Sequence, residues 1–364
     1  MKKVIFFHLL NDYSGSPKVL SQVIEAVSKK GLDAELFLGG AGGSGFLSSA
    51  PCTQKRYFYK RFENKYLTLL SYSLSQLILF LKLMGYRKQS SVFYVNTLLP
   101  FGAALAGRVL GIKVIYHIHE TSIRPKPLKL FLRWVVEKCS SKNIFVSHFL
   151  AETESFPRIE SKVIYNSIPQ GMASVAVNHA YQSINDGKFH VLMICSLKAY
   201  KGVGEFVQIA TLLASQDIFK FTLVLGASES EVAEFFSSLT LPKNLTIVSR
   251  CGDVVPYYKK TSVLLSLSKT DAWVETFGLT ILEGLSFGIP CIVPPVGGPV
   301  ELVSDDKEGY LIDSHRIHDI SAKLECLQKN PEVCIRLSNA AKIKSARFSI
   351  DNFDSDVLGV FDGA

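Results

Sequence analysis

At 364 residues the chain is long enough for two domains of ordinary size, and 48% apolar with 20% charged residues makes it globular rather than disordered. Its seven cysteines are odd in number and form no C-x-x-C pair, which argues against a metal cluster or disulfide framework and favours a reducing compartment. The net charge of +8 is uneven: residues 1–165 hold 23 Lys/Arg against 10 Asp/Glu (+13), and residues 166–364 hold 17 against 22 (−5). A basic first half points to an anionic partner, membrane or nucleic acid.

In chain order, Val4 to Leu10 reads as the first strand of a parallel sheet. Lys2 and Lys3 before it resemble the start of a signal peptide, but seven apolar residues are at the short limit and no small-residue cleavage site follows. Asn11 to Ser16 is a polar turn. Ser16 is placed to cap a helix with Pro17 at its first position, running through Val19, Leu20, Val23, Ile24 and Val27 to Gly31. Ala34 to Leu38 is the next strand, which completes a βαβ unit without any G-x-G-x-x-G. Gly39 to Ser49, rich in glycine and serine, reads as a mobile loop.

Lys55-Arg56-Tyr57-Phe58-Tyr59-Lys60-Arg61-Phe62 interleaves cations with aromatics. Tyr66 to Tyr86 follows with Lys82 as its one charge. That length could span a bilayer, yet Ser71, Ser73, Ser75 and Gln76 interrupt it and a strand, Val92 to Val95, comes next. The expectation is a helix part core and part membrane-facing, with Lys55, Arg56, Lys60 and Arg61 at lipid headgroups or acceptor; a basic edge in plain solvent is the alternative. Base-stacking aromatics in 55–66 would suit nucleic acid, but the apolar helix favours membrane.

Leu99 to Leu110 is a helix and Lys113 to Tyr116 a strand, with His117-Ile118-His119-Glu120 at its end. Residues 124–134, beginning Arg124-Pro125-Lys126, are basic and partly amphipathic, a second headgroup or acceptor-phosphate candidate. Asn143 to Ser147 is a strand, and Val163 to Pro169 follows a short helix. Residues 170–188 read as a polar linker. His190 to Cys195 is a strand followed by Ser196-Leu197-Lys198-Ala199-Tyr200-Lys201-Gly202. Phe221 to Gly226 and Leu245 to Val248 are strands, and Cys251 to Val254 is a turn. Asp354-Ser355-Asp356 is a D-x-D triplet in the tail, read as chance, and no metal is expected.

The most informative stretch is Trp273 to Gly284. An apolar strand, Ser262 to Leu267, precedes it, and a helix starts near Gly278. The strand–loop–helix end of an α/β unit carries ligands, and the free N–H groups of such a helix suit phosphate. Glu275 and Glu283 bracket the turn. Eight helical residues would separate them by roughly 12 Å, which suits the two ends of one elongated, hydroxyl-bearing ligand. A loop charge and a solvated helix residue would satisfy the same spacing.

The order Glu275, Phe277, Gly278, Leu279, Glu283, Gly288, Pro290, Gly297, Gly298, Glu301 resembles the E-x7-E, G-x-P, GG signature of retaining GT-B glycosyltransferases of family 4. The resemblance covers most of the chain. It implies two doubly wound Rossmann-like α/β domains facing across a cleft, residues 1–169 and 170–347, with 348–364 crossing back to the first. It implies that Glu275 holds the donor sugar, Glu283 the ribose, and the Phe277-Gly278-Leu279 turn sugar and phosphates. Gly15 and Ser16 would border donor phosphate. His119 would sit near the sugar from the first domain, though a lone histidine is often structural. Lys201 would grip the diphosphate, with Ser196 standing where the family has Arg; Lys198 is a candidate replacement. Ser167 likewise replaces the family's Gly at the domain junction.

The function expected is transfer of a sugar, with retained configuration, from a UDP- or GDP-linked donor to a glycan, lipid-linked in bacterial surface polysaccharide synthesis (O-antigen or capsule). No further cofactor is expected, and the location is cytoplasmic, peripheral on the inner face of the plasma membrane. A nucleotide-sugar epimerase or hydrolase, or a non-catalytic nucleotide-sugar-binding protein, are the alternatives.

Overall fold

Val4, Ile5, Phe6 and Phe7 show no polar alternation, the pattern of a strand covered on both faces, and all four are buried. They lie in β1 (Lys3–His8). The computed structural model describes residues 3–40, 42–86, 91–249 and 252–361; Lys2 and Cys251, used above, fall outside them. The chain divides into two units, Met1–Asn166 with Asp351–Ala364, and Ser167–Ile350.

The first unit continues with α1 (Gly15–Lys29), β2 (Asp33–Gly39), β3 (Thr53–Tyr57), α2 (Lys65–Leu83), β4 (Ser91–Asn96), α3 (Phe101–Leu110), β5 (Lys113–Ile118), α4 (Lys126–Cys139), β6 (Lys142–Phe145), α5 (His148–Thr153) and β7 (Glu160–Val163). Its sheet has the order β3-β2-β1-β4-β5-β6-β7, parallel throughout. The order reverses between β1 and β4, the switch point where open α/β sheets take ligands past their carboxyl ends.

The second unit holds α6 (Gln170–Val177), β8 (Phe189–Cys195), α7 (Val203–Leu212), β9 (Phe219–Leu225), α8 (Glu229–Phe236), β10 (Leu245–Ser249), α9 (Val255–Lys260), β11 (Val263–Leu265), α10 (Leu279–Ser286), β12 (Cys291–Val293), α11 (Pro299–Leu302), β13 (Gly309–Leu311), α12 (Ile317–Lys329) and α13 (Pro331–Ser345). The sheet order β10-β9-β8-β11-β12-β13 repeats the first and puts its switch point between β8 and β11. Phe189, Phe206, Phe219 and Phe221 fill the layer between sheet and helices.

The last helix, α14 (Ile350–Phe361), belongs with the first unit. Phe353, Val357, Val360 and Phe361 are buried, with the Phe361 ring 5.9 Å from that of Tyr94. Asp356 pairs with Lys162 at 2.7 Å and Asp354 with Lys29 at 3.7 Å. The D-x-D carboxylates thus help hold a helix down. Exposed pairs add ~0–1 kcal/mol each, so the buried apolar side chains dominate the docking.

Four expectations change. The N-cap position of α1 is Ser14, not Ser16, and no side chain caps the helix there; Asp12 accepts from the Ser14 N–H at 2.9 Å and fixes the turn two residues earlier. In the loop after β2, read as mobile, Gly43 to Ser48 is pinned, because the Asn11 side chain bonds Gly43 O, Ser48 Oγ and Leu47 N, each at 3.0 Å. The linker contains α6. Thr53–Tyr57 is a strand, paired with β2, where only a basic-aromatic run was legible.

Candidate functional site

In the second unit the proposed donor residues gather past β8 and β11. Lys201 ends a short 3-10 turn, and Gly202 starts α7 with φ +80°, where a Cβ would overlap the Leu267 carbonyl. The Lys-Gly step is thus steric: only glycine lets the turn press against the chain leaving β11. This brings Lys201 Nζ to 2.5 Å from Glu275 Oε2, with 18% and 24% of the two side chains exposed. Burial works to lower the Lys201 pKa, but the Glu275 charge and hydrogen bond outweigh it and the net shift is upward. Trp273 stacks on Tyr200 at 5.2 Å, and its ring lies 5.7 Å from Lys201 Nζ.

The glycine pair explains the turn that carries Glu275. Gly298 N–H donates to Glu275 O at 2.8 Å, and a Cβ on Gly298 would overlap Thr276 O and Phe277 Cα. Gly297, at φ +85°, would put a Cβ 2.5 Å from Glu275 O. Gly278, at φ +103°, starts α10 with no side chain capping its first turn. Half-buried Leu279 is the helix's first residue.

Two side chains of this segment are buried. The Phe277 ring is 2% exposed and packs edge-on against Phe348, so it is core and leaves only the backbone of the turn for a ligand. Glu283 is 4% exposed and accepts from the Tyr258 hydroxyl at 2.7 Å; it is neither solvated nor open. Ser196 and Lys198 are both exposed.

In the first unit, His119 belongs to a polar cluster at the switch point that the sequence did not reveal. Asn96 Nδ2 donates to Ser16 O at 3.2 Å and lies 3.1 Å from His8 Nδ1. A carbonyl can only accept, so the amide oxygen must face His119, and at 2.9 Å the Nε2 of His119 carries the hydrogen. Asn96 therefore ties the Gly15-Ser16 end of α1 to the imidazole. His117 bonds the Tyr94 hydroxyl through Nδ1 at 2.8 Å, and its ring centroid lies 4.2 Å from that of His119. Thr97, next to Asn96, sits at φ +69°, a strained backbone for a β-branched residue. Glu120 accepts from the N–H groups of Leu98 (3.0 Å) and His119 (3.1 Å), and burial pushes its carboxyl up to about 7. A polar residue closing an apolar strand at each of β1 and β4 was the available signal.

Burial pushes His8 down to about 4 and His117 to about 3, and drives His119 well below its usual value. These histidines are neutral in the folded chain. Between pH 6.5 and 4 the unfolded chain binds protons that the folded one refuses, so stability is full above that window and falls as pH drops. For His8 alone the loss reaches about 3 kcal/mol at pH 4. Hydrogen-exchange protection factors of β1, β4 and β5, taken relative to the intrinsic rate at each pH, are expected to be lower at pH 5 than at pH 7, with the difference reduced in His8→Asn. Equal protection at both values would contradict the neutral cluster.

The basic candidates divide. Lys55 is partnered within the unit: its Nζ lies 2.5 Å from buried Glu35 Oε1 and 2.7 Å from Tyr86 Oη, which gives it a structural role, with 43% of its side chain exposed. Arg56, Lys60, Arg61 and Arg124 are exposed. On α4, Lys129 and Arg133 both pair with buried Glu154.

Two parallel Rossmann-like sheets of matching order are the architecture of GT-B glycosyltransferases. Anabaena HepE, solved in complex with UDP and glucose, matches 100% of this chain and 100% of its own with a TM-score of 0.79 at 16% identity. Residues 176–344 match the family described as glycosyl transferases group 1. N-acetyl-alpha-D-glucosaminyl L-malate synthase of Bacillus anthracis is 27% identical over 279 residues, 71% of this chain and 70% of that protein. A protein described as an uncharacterized glycosyltransferase of Haemophilus influenzae is 23% identical over 173 residues; the match spans 47% of this chain and less than half, 48%, of that protein. The chain has the GT-B fold, and residues 176–344 of its second unit are similar to the glycosyl transferases group 1 family.

Proposed function

We propose that the protein transfers a hexose-type residue from a UDP- or GDP-linked sugar to a glycan acceptor with retained anomeric configuration. The observation that carries this reading is the Lys201–Glu275 pair at the second unit's switch point, beside an uncapped helix start. Breaking the donor's glycosidic bond builds charge on the departing diphosphate. An ammonium and the backbone amides at the start of α10 are suited to stabilise it. As diphosphate enters, Lys201 turns to it, and Glu275 is released to accept hydrogen bonds from sugar hydroxyls. His119 of the first unit is assigned to the sugar, with Asn96 fixing its tautomer. No side chain is assigned as a covalent nucleophile, which fits same-face attack. HepE was solved with UDP and glucose, which supports a UDP-linked donor.

The test is product analysis after incubation with nucleotide sugars and glycan acceptors. The expected product carries the donor's anomeric configuration, read from the anomeric proton coupling. Inversion, or equal donor consumption without acceptor, would contradict the reading; the latter would indicate an epimerase or hydrolase. Donor binding without turnover would indicate a binding protein.

The acceptor is proposed to be lipid-linked, in bacterial surface polysaccharide synthesis, with the protein peripheral on the cytoplasmic face of the plasma membrane. The support is an inverted helix. On α2, Ser71, Ser75 and Gln76 are buried, while Leu70, Leu74, Leu77 and Leu81 are 46–66% exposed. Gly102 of α3 takes this polar side, its N–H donating to Gln76 Oε1 at 3.1 Å. The rings of Tyr72, Phe101 and Phe131 lead across α3 to α4, where Leu130 and Trp134 are also exposed. Alone, α2 has the length and composition to cross a bilayer, but a third of that window is buried in the unit, which suits lying at an interface. Replacing Leu70, Leu74 and Leu77 together by glutamate is expected to reduce binding to anionic vesicles at least tenfold; unchanged binding would remove the membrane reading.

A further inference from the structure

We propose that the first unit contains an anion pocket for a phosphate group carried by the acceptor, walled by the glycines after β2 and by Arg56, Lys60 and Arg61. The proposal rests on the transfer reading only for the word acceptor; the pocket itself stands on geometry. It encloses about 250 Å³. That is below the ~300–1,000 Å³ of a site that swallows a whole small molecule, and it suits one charged group with part of a sugar.

The pocket lies past the carboxyl ends of β2 and β3, where Leu38 is paired with Arg56 and Gly39 with Tyr57. A Cβ on Gly39 would fall 2.5 Å from Leu9 O and 3.2 Å from the Tyr57 ring, so these strand ends converge only because that residue is glycine. Gly40 N–H donates to Tyr57 O at 3.0 Å, and Gly40 and Gly42 stand at φ +89° and +141°. The wall is fixed in advance: Asn11 donates to Gly43 O and accepts from Leu47 N–H, each at 3.0 Å, and Leu47 is fully buried.

The opposite wall is positive. Side chains alternate across a strand, so Lys55 and Arg56 point to opposite faces of β3. Lys55 is neutralised by Glu35. Among the described residues Arg56, Lys60 and Arg61 form no ion pair, and none of those lining the pocket is an acid. Tyr59 adds a half-buried hydroxyl; burial raises its pKa while the nearby Arg61 charge opposes that. Three like charges without a counter-ion repel one another, and a phosphate with several acceptor oxygens relieves this while taking charge-assisted hydrogen bonds. The phosphate could come from a soluble sugar phosphate or from a lipid diphosphate. The second source fits the proximity of α2, whose first residue, Lys65, follows Arg61 by four positions.

The test is calorimetric titration of the full chain with inorganic pyrophosphate in the presence of saturating UDP, so that the donor site is already occupied. One further binding event is expected, weakened about tenfold or more in Arg56→Gln/Arg61→Gln, with UDP affinity and thermal unfolding unchanged. Loss of the pyrophosphate heat on adding UDP, or equal affinity in the double variant, would overturn the pocket. A second arm compares phosphatidylcholine vesicles with and without a polyisoprenyl diphosphate. Extra retention on the diphosphate vesicles, lost in the double variant, supports the pocket with a lipid source; solution binding without it supports the pocket with a soluble source. Neither arm requires turnover, so its failure and that of the transfer assay are separable.

Discussion

Glu275→Ala is expected to lower turnover at saturating donor by a factor of about 10², and Lys201→Ala to weaken UDP binding as well as turnover. The two side chains meet at 2.5 Å while less than a quarter of each is exposed. Removing one leaves the other partly desolvated and unpaired, which is more damaging than losing an exposed pair. Because the residues act on one ligand and on each other, the double variant should lose much less than the product of the two single losses. Glu275→Gln separates charge from shape: it keeps hydrogen-bonding capacity but frees Lys201, so donor binding should survive better than turnover. Near-normal turnover in both alanine variants would remove the mechanism.

The second large effect concerns a residue with no side chain. Gly298→Ala forces a Cβ into Thr276 O and Phe277 Cα, at the turn that presents Glu275. A shift of backbone is the only escape, so the variant is expected to lose about 3 kcal/mol of stability, or roughly 6 °C in Tm, together with donor affinity. Gly171→Ala is the control. It lies in α6 with nothing within 4 Å of its Cβ position, and the change should be neutral or slightly stabilising. Equal Tm in Gly298→Ala and the parent would show that the glycine pair does not hold the turn.

The second unit was legible because its chemistry is written in short-range steric demands. Gly202, Gly278, Gly297 and Gly298 each mark a positive φ or a close backbone approach, and these fall at fixed spacing from the charged residues they position. The partnership of Lys201 with Glu275 was not legible: 74 residues separate them, and each had been given its own ligand group. The burial of the Phe277 ring against Phe348, inside a turn that the resemblance assigns to sugar and phosphates, was not legible either. In the first unit the misread features are those decided by neighbours distant in sequence. Ser71, Ser75 and Gln76 look like interruptions of an apolar helix until α3 is seen to pack on them. Lys55 and Arg56 look alike until β3 is recognised as a strand that sends them to opposite faces, one to buried Glu35. Asn96 carries no motif at all; its importance comes from the three chain segments, ending at His8, Ser16 and His119, that its amide joins.

The most direct measurement is the structure of the full chain with UDP bound. The diphosphate is expected against the second unit's switch point, within hydrogen-bond reach of Lys201 and of the first backbone amides of α10. UDP seated elsewhere, with Lys201 still paired to Glu275, would contradict the assignment of that pair to the donor.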